Sequence, residues 1–180
     1  MTGNIGKALR FVTVVTRPGH RSQGLLRADG RVFACALGRG GTSAFKREGD
    51  GATPVAAMRA LGSLYRTDVP GLRAGLLPAA AIRADDGWCD QAWHPAYNRP
   101  VRLPFAAGHE RMRRDDRLYD RVVVIDWNVV SRRQGRGSAI FLHLAKPGYQ
   151  PTEGCIAVSR RTMDWLLPRM SRRTVVRVKR

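Results

Sequence analysis

The sequence SAIFLHLAKPGYQPTEGCIAV, residues 138–158, predicts two strands joined by a loop. The first apolar run ends at His143, and a second apolar run begins at Cys155. Residues 146–154 between them contain two prolines and two glycines, which favour a loop over a regular element. We therefore expect the histidine and the cysteine at the ends of neighbouring, paired strands.

Cys155 and His143 together suit nucleophilic catalysis. A thiol attacks carbonyl groups as the thiolate, and a nearby imidazole can generate it while backbone N–H groups around Gly154 receive the developing oxyanion. Gly154 is expected to let a substrate backbone approach the thiol, with an ordinary turn glycine as the alternative. Ser138 and a backbone carbonyl are both candidates for orienting His143. A lone cysteine in an apolar strand is more often an inert core residue, so the surrounding sequence has to decide.

Two motifs favour the catalytic interpretation. Residues 138–143 followed by residues 151–158 resemble the catalytic signature of the L,D-transpeptidases of peptidoglycan, the YkuD-type catalytic domain. Upstream, KREGDGATPV at residues 46–55 resembles the segment that precedes a strand in the same family. Both motifs occur in the order that the family has them.

The middle of the chain extends the resemblance. DGWCD at residues 86–90 and PAYNRP at residues 95–100 are similar to a segment found in a proteobacterial branch of these proteins. The likeness covers roughly residues 10–178, which indicates a single catalytic domain over residues 1–180.

The resemblance implies both a fold and a reaction. The fold is mainly β, a YkuD-type β-sandwich of mixed sheets with one short C-terminal helix. The reaction is that of a peptidoglycan L,D-transpeptidase, in which a thioester on Cys155 passes its acyl group to a second stem peptide. One alternative is an L,D-endopeptidase, carboxypeptidase or amidase with the same Cys155 and His143, and another is a catalytically degenerate wall-binding module. No cofactor and no metal is expected.

The resemblance also assigns substrate contacts, although two positions depart from the family pattern. The expected substrate-binding residues are Lys46, Tyr97, Asn98, Arg99, Glu153 and Ile156. Family members usually carry His or another polar residue before the Gly-Cys pair and Arg or Asn two positions after it, whereas this chain has Glu153 and Ala157. A carboxylate beside the nucleophile raises the pKa of a thiol unless a cation compensates it. Lys46, Arg99 and Arg136 are the candidate cations.

A strong positive charge limits the possible partners. The net charge is +18, and the basic residues are mostly arginines spread along the whole chain. Such a surface attracts polyanions of any kind, but no compact basic patch with interleaved aromatic residues or zinc module points to specific nucleic-acid binding. We expect peptidoglycan stem peptides and an anionic cell-wall polymer as partners, and a monomeric protein.

Cysteines and histidines show no metal or disulfide pattern. The three cysteines are an odd number without CxxC spacing, and the four histidines share no ligand spacing. Cys35 is expected in the core, whereas Cys89 is expected either in the core or paired with another cysteine. Trp88 and Trp93 are expected to pack against the protein rather than to contact sugars.

Targeting signals are not visible in the sequence. Residues 1–10 lack the apolar region of a secretory signal, and no segment approaches the roughly 20 apolar residues that span a bilayer. The resemblance implies a periplasmic or cell-envelope protein. The alternatives are a true start upstream of residue 1, a non-standard export route, or action inside the cell.

Local patterns predict several elements. Asp29-Gly30 between two apolar runs, residues 25–28 and 31–37, predicts a hairpin with a type I′ turn. The glycine-rich residues 38–51 are expected to form a mobile rim beside the site. Residues 66–119 are expected to be long connections with short strands at 80–82 and 101–103.

The remaining elements follow from β-branched runs and from one helical pattern. Strands are expected at residues 11–16, 55–65, 121–127, 138–144 and 174–178. Ser159 is expected to cap a helix over residues 160–170, with four apolar side chains on its buried face. Those four are Met163, Leu166, Leu167 and Met170.

Overall fold

The computed structural model describes residues 8–71 and 75–180. Residues 1–7, which make up most of the N-terminal segment considered above, lie outside the described part. The strands are β1 (Phe11–Thr16), β2 (Gln23–Ala28), β3 (Arg31–Ala36), β4 (Thr42–Ser43), β5 (Thr53–Pro54), β6 (Ala57–Tyr65), β7 (Ala79–Ala81), β8 (Asp86–Cys89), β9 (Pro100–Arg102), β10 (His109–Arg111), β11 (Arg121–Ile125), β12 (Phe141–Leu144), β13 (Ile156–Val158) and β14 (Val175–Lys179). The α-helix α1 spans Arg160–Leu166.

The largest sheet closes on itself. Its order is β11-β12-β13-β3-β2-β1-β14-β6-β7, and β6 pairs in addition with β11. β6 reaches both neighbours because residues 57–59 pair with β14, whereas residues 60–65 pair with β11. Eight strands therefore form a closed ring, in which β1–β14 and β12–β13 are parallel and the other neighbours antiparallel. The mainly β fold of mixed sheets with one short C-terminal helix is confirmed.

Side-chain alternation along β12 and β13 separates two apolar cores. Successive residues of a strand point to opposite faces of the sheet. Leu142 and Ile156 therefore pack in the inner core, inside the ring, while Phe141 and Cys155 face outwards. The outer core consists of Ile82, Trp88, Met112, Tyr119, Val122, Val124, Phe141 and Cys155.

A small sheet covers the outer core. Its order is β10-β8-β9, and Trp88 on β8 packs edge-on against Phe141 on β12, with ring centroids 5.1 Å apart. The sequence predicted β9 approximately but missed β8 and β10. These strands are four and three residues long, which is too short for an alternating pattern to stand out.

Several local predictions are confirmed. Asp29 and Gly30 both have positive φ, 46° and 71°, between β2 and β3, as a type I′ turn requires. Ser159 Oγ accepts a hydrogen bond from Thr162 N at 3.1 Å and caps α1. The helix ends earlier than predicted, and a 3₁₀ turn over Leu167–Arg169 follows it. Pro168 lies in that turn, and a proline has no N–H to continue the α-helical pattern.

Two predicted segments differ in the structure. The strand expected over residues 138–144 begins only at Phe141, because Ala139 has a φ of +51° and leaves the extended conformation. The glycine-rich loop is tied down by hydrogen bonds, including Gly40 N to Gly51 O and Arg39 N to Thr152 O, both 2.8 Å. The loop thus borders the site as an anchored segment.

Neither a membrane-crossing helix nor a disulfide occurs in the described part of the chain. No helix there is long and apolar enough to cross a bilayer. Cys35, Cys89 and Cys155 are free and buried. Cys89 therefore takes the first of its two expected places, in the core.

Replacing an inner-core side chain should destabilise the ring. Leu142→Ala is expected to lower the free energy of unfolding by about 2–5 kcal/mol, because Leu142 is fully buried and its removal leaves a cavity. Val32→Ala is the control, since Val32 on β3 is 57% exposed, and should change the value by less than about 0.5 kcal/mol. Urea unfolding measures both, and equal losses would contradict the inward orientation of Leu142.

Candidate active site

Cys155 and His143 line one cavity of about 340 Å³ on the outer face of the ring. His143 lies on β12, and Cys155 immediately precedes β13. The parallel pairing of Leu142 with Ile156 aligns the two strands. Each reactive residue is the chain neighbour of one of these inward-facing residues, so both side chains point outwards. The structure thus brings together the two residues that the sequence singled out.

Cys155 Sγ is held between two backbone groups of the segment leading into β12. It donates to Ala139 O at 3.2 Å and lies 3.3 Å from Phe141 N, which donates to it. Burial raises the pKa of the Cys155 thiol to about 12, although the Phe141 N–H opposes this shift. The resting side chain is therefore a neutral thiol near pH 7.

His143 is oriented by a backbone carbonyl. Its Nδ1 lies 2.8 Å from Leu144 O, and because a carbonyl oxygen only accepts, Nδ1 carries the proton. The neutral ring then has its lone pair on Nε2, as a general base needs. Burial lowers the pKa of His143 to about 4, so the imidazole is uncharged near pH 7. Of the two orienting groups considered from the sequence, the carbonyl is present, whereas Ser138 donates to Glu48 at 2.8 Å.

The resting site contains no thiolate–imidazolium pair. Within residues 8–71 and 75–180, no hydrogen bond joins His143 to Cys155 Sγ, and burial favours the neutral form of both groups. Ionisation of the thiol by the imidazole, as expected from the sequence, is therefore absent from this state.

Gly154 is required by the protein's own backbone. Its φ is +135°, and a Cβ at this position would lie 3.0 Å from Ala52 O and 3.1 Å from Ile140 Cδ1. Its N–H donates to Thr152 Oγ1 at 3.2 Å and is thus occupied. The Cys155 N–H has no acceptor in the described part of the chain, which makes it the free backbone donor beside the thiol.

Tyr97 and Asn98 hold the segment that contacts the thiol. Asn98 Oδ1 accepts from Ala139 N at 3.1 Å and from Trp88 Nε1 at 2.9 Å, and both residues are buried. The Tyr97 hydroxyl donates to Glu48, the same carboxylate that accepts from Ser138. Neither Tyr97 nor Asn98 lines the cavity. They therefore hold the segment that contacts the thiol without lining the cavity themselves.

Lys46 belongs to the same support. Lys46 as a whole is 3% exposed. Its ammonium group donates to Asp50 Oδ1 at 2.5 Å and to Arg47 O at 2.8 Å. Lys46 does not line the catalytic cavity, but its charge lowers the pKa of Cys155. Of the three candidate cations from the sequence, it is the one that acts on the thiol.

The remaining predicted substrate contacts lie in different places. Ile156 is fully buried in the inner core because it alternates with Cys155. Arg99 is exposed and does not line the cavity. Glu153 lies on the cavity rim and pairs with Arg39 at 2.7 Å. The Glu153 side chain is 74% exposed, so solvent and Arg39 screen its effect on the thiol.

Three functional candidates on the cavity wall were missed from the sequence. The ring of Tyr119 packs edge-on against His143, with centroids 5.2 Å apart. Its hydroxyl donates to Glu110 at 3.1 Å, and Arg114 bonds to Glu110 at 3.4 Å. Glu110 raises the pKa of Cys155 and Arg114 lowers it. All three residues lie within residues 66–119, for which the sequence predicts long connections, and no motif marks them.

The two tryptophans behave differently. Trp88 is 5% exposed and packs in the outer core, as expected. Trp93 is 80% exposed with a φ of +70°, so the expectation that it packs against the protein is wrong. Only its backbone is fixed, by a 2.7 Å bond from Trp93 N to Gln134 Oε1.

Comparison with known proteins gives the family. The YkuD family, described as the L,D-transpeptidase catalytic domain, matches residues 10–178, and the chain therefore belongs to it. No curated protein matches the chain. The crystal structure of Mycobacterium tuberculosis L,D-transpeptidase 1 is similar at 14% identity and a TM-score of 0.40, covering 96% of this chain and 62% of that one. This chain thus spans less than two thirds of that protein.

The neutral thiol leads to a kinetic prediction. The rate of Cys155 alkylation by iodoacetamide should rise about tenfold for each pH unit between pH 7 and 10, without a plateau, because the thiolate fraction grows in that proportion below a pKa of about 12. Peptide mapping by mass spectrometry separates Cys155 from Cys35 and Cys89. A rate that levels off above pH 7 would show a preformed thiolate.

Proposed function

We propose that this member of the L,D-transpeptidase catalytic-domain family is a peptidoglycan L,D-transpeptidase with Cys155 as nucleophile and His143 as general acid and base. One observation carries the proposal. Both side chains line the same cavity, His143 offers an unprotonated Nε2, and the Cys155 N–H has no acceptor among the described residues. Family membership supplies the substrate class, peptidoglycan stem peptides.

In the acylation step a carbon–sulfur bond forms and a carbon–nitrogen bond breaks. His143 carries one proton from the thiol to the leaving amine. Cys155 Sγ attacks the carbonyl of an L-centre in the stem peptide while its proton passes to His143 Nε2. The Cys155 N–H donates to the oxyanion of the tetrahedral intermediate. The carbon–nitrogen bond to the following D-residue then breaks, and His143 returns the proton to the leaving amine. The product is a thioester on Cys155.

Burial favours this concerted order over a separate ionisation. A thiolate–imidazolium pair would have to form where both pKa values are shifted towards the neutral species. During attack, the negative charge moves instead to the carbonyl oxygen beside the Cys155 N–H. The Phe141 N–H, which already points at Sγ, stabilises any charge that remains on sulfur.

A second stem peptide completes the transfer. Its amine attacks the thioester carbonyl, gives a proton to His143, and expels the thiol of Cys155, which recovers that proton. The new amide is the cross-link. With water in place of the amine the same site hydrolyses the thioester, which is the carboxypeptidase or endopeptidase alternative.

The degenerate wall-binding module is the rival outside enzymes. It is favoured by the 7% exposure of Cys155 and by Ala157 in place of the usual Arg or Asn. A carbapenem distinguishes the two, because it acylates a competent thiol and adds its mass to the protein. Absence of an adduct, where a control transpeptidase is fully acylated, would support the module.

The proposed place of action is the cell envelope, which follows from the family.

Muropeptide analysis tests the proposed reaction. The purified protein is incubated with tetrapeptide-containing muropeptides, and the products are separated and weighed. Cross-linked dimers with loss of one D-residue are expected, whereas shortened monomers alone would assign hydrolysis. Unchanged substrate would refute the enzymatic proposal.

Two variants test the assigned roles. Cys155→Ala should abolish product formation while leaving the urea midpoint near that of the wild type, since the thiol makes only weak hydrogen bonds. His143→Gln should lower kcat by about 10²–10⁴-fold, the range expected for loss of an acid–base group. Full activity of the His143→Gln variant would contradict the assignment of the base.

A further inference from the structure

A second cavity, of about 400 Å³, lies beside the catalytic one. We call it the arginine cavity, and its walls include Lys46, Trp127, Asn128, Ser131, Arg133 and Arg136. Two chain segments separate the cavities. In the first segment, residues 46–48, Lys46 lines the arginine cavity and Glu48 lines the catalytic one. In the second, residues 136–138, Arg136 lines the arginine cavity and Ser138 lines the catalytic one.

The neutral polar groups of the arginine cavity are already in use. Asn128 Nδ2 donates to Arg133 O at 2.9 Å and to Gly137 O at 3.0 Å. Asn128 Oδ1 accepts from Ser131 Oγ at 2.9 Å and from Arg133 N at 2.7 Å. The indole of Trp127 donates to Arg136 O at 2.9 Å. These bonds fix the loop, and they leave few uncharged donors or acceptors in the cavity for a ligand.

The groups of the arginine cavity that remain available to a ligand are positively charged. Lys46 is committed to Asp50 and Arg47 O. In contrast, Arg133 and Arg136 form no ion pair with any residue of the described ranges, and no carboxylate lines the cavity. Both arginines are exposed, but they line one cavity together, and two guanidinium groups in one cavity suit an anion, above all a planar carboxylate.

We propose that the arginine cavity binds a carboxylate of the peptide substrate whose reacting carbonyl lies at Cys155. This inference rests on the proposed function. Stem peptides carry free carboxylates on both sides of the reacting centre, and a peptide in the catalytic cavity needs to cross only the wall formed by Lys46–Glu48 and Arg136–Ser138 to place one there. Arg133 and Arg136 then supply the cation that Ala157 lacks.

Binding of matched peptides tests the proposal. Calorimetry uses the Cys155→Ala protein, which cannot turn over, with a stem tetrapeptide and with its fully amidated form. Adding Arg133→Ala and Arg136→Ala should raise the Kd for the carboxylate form about tenfold or more, the effect expected for loss of charge-assisted bonds. The Kd for the amidated form should stay unchanged.

A control pair removes the same charge elsewhere. Arg27 on β2 and Arg59 on β6 are exposed and, like the cavity pair, make no ion pair in the part of the chain described here. Arg27→Ala with Arg59→Ala should leave both Kd values within about twofold of the parent, since exposed distant charges are screened. Equal weakening by the control pair would reduce the effect to general attraction and overturn the proposal.

The remaining outcomes separate the two levels of inference. If the wild type forms cross-links but the Arg133 and Arg136 variants bind the carboxylate peptide as tightly as the parent, the subsite is wrong and the proposed function stands. Equal loss of both peptide forms would also overturn the subsite, because it would indicate a damaged loop. If the tetrapeptide is neither bound nor turned over, the proposed function fails and the subsite fails with it.

Discussion

The parallel pairing of β12 with β13 is the constraint on which the site depends. It aligns Leu142 with Ile156 inside the ring, and the alternation of side chains then turns His143 and Cys155 to the outer face. A shift of either strand by one residue would exchange its inner and outer side chains. The apolar content of the ring therefore fixes the position of the reactive pair, since Leu142 and Ile156 cannot leave the core without a large loss of stability.

The same arrangement determines the chemistry available to the pair. The outer face is covered by the small sheet, so that Cys155 and His143 are held in a largely dehydrated wall rather than on an open surface. Burial keeps both groups neutral. The charged side chains that also shift the pKa of the thiol are Glu110, Lys46 and Arg114. In this state the cavity therefore holds a neutral thiol and a neutral imidazole, and the proposed reaction starts from these two neutral groups.

Local chemistry could be predicted from the sequence, whereas contacts between distant segments could not. The turn at residues 29–30 and the cap at Ser159 depend on neighbouring residues, and both were predicted correctly. The family resemblance points to Asn98, but its hydrogen bond to Ala139 joins residues that are 41 positions apart. The cation that pairs with Glu153 is Arg39, 114 positions away, and no pattern in the chain connects these two.

The protonation state of His143 tests the central claim most directly. Nitrogen-15 NMR of histidine-labelled protein, with the signal assigned by His143→Gln, reports the charge of the ring at each pH. A neutral imidazole between pH 5 and 9 is predicted, protonating only near pH 4, with the same curve in the Cys155→Ala protein. An imidazolium at pH 7 that becomes neutral when Cys155 is replaced would contradict the account, because it would demonstrate a standing ion pair.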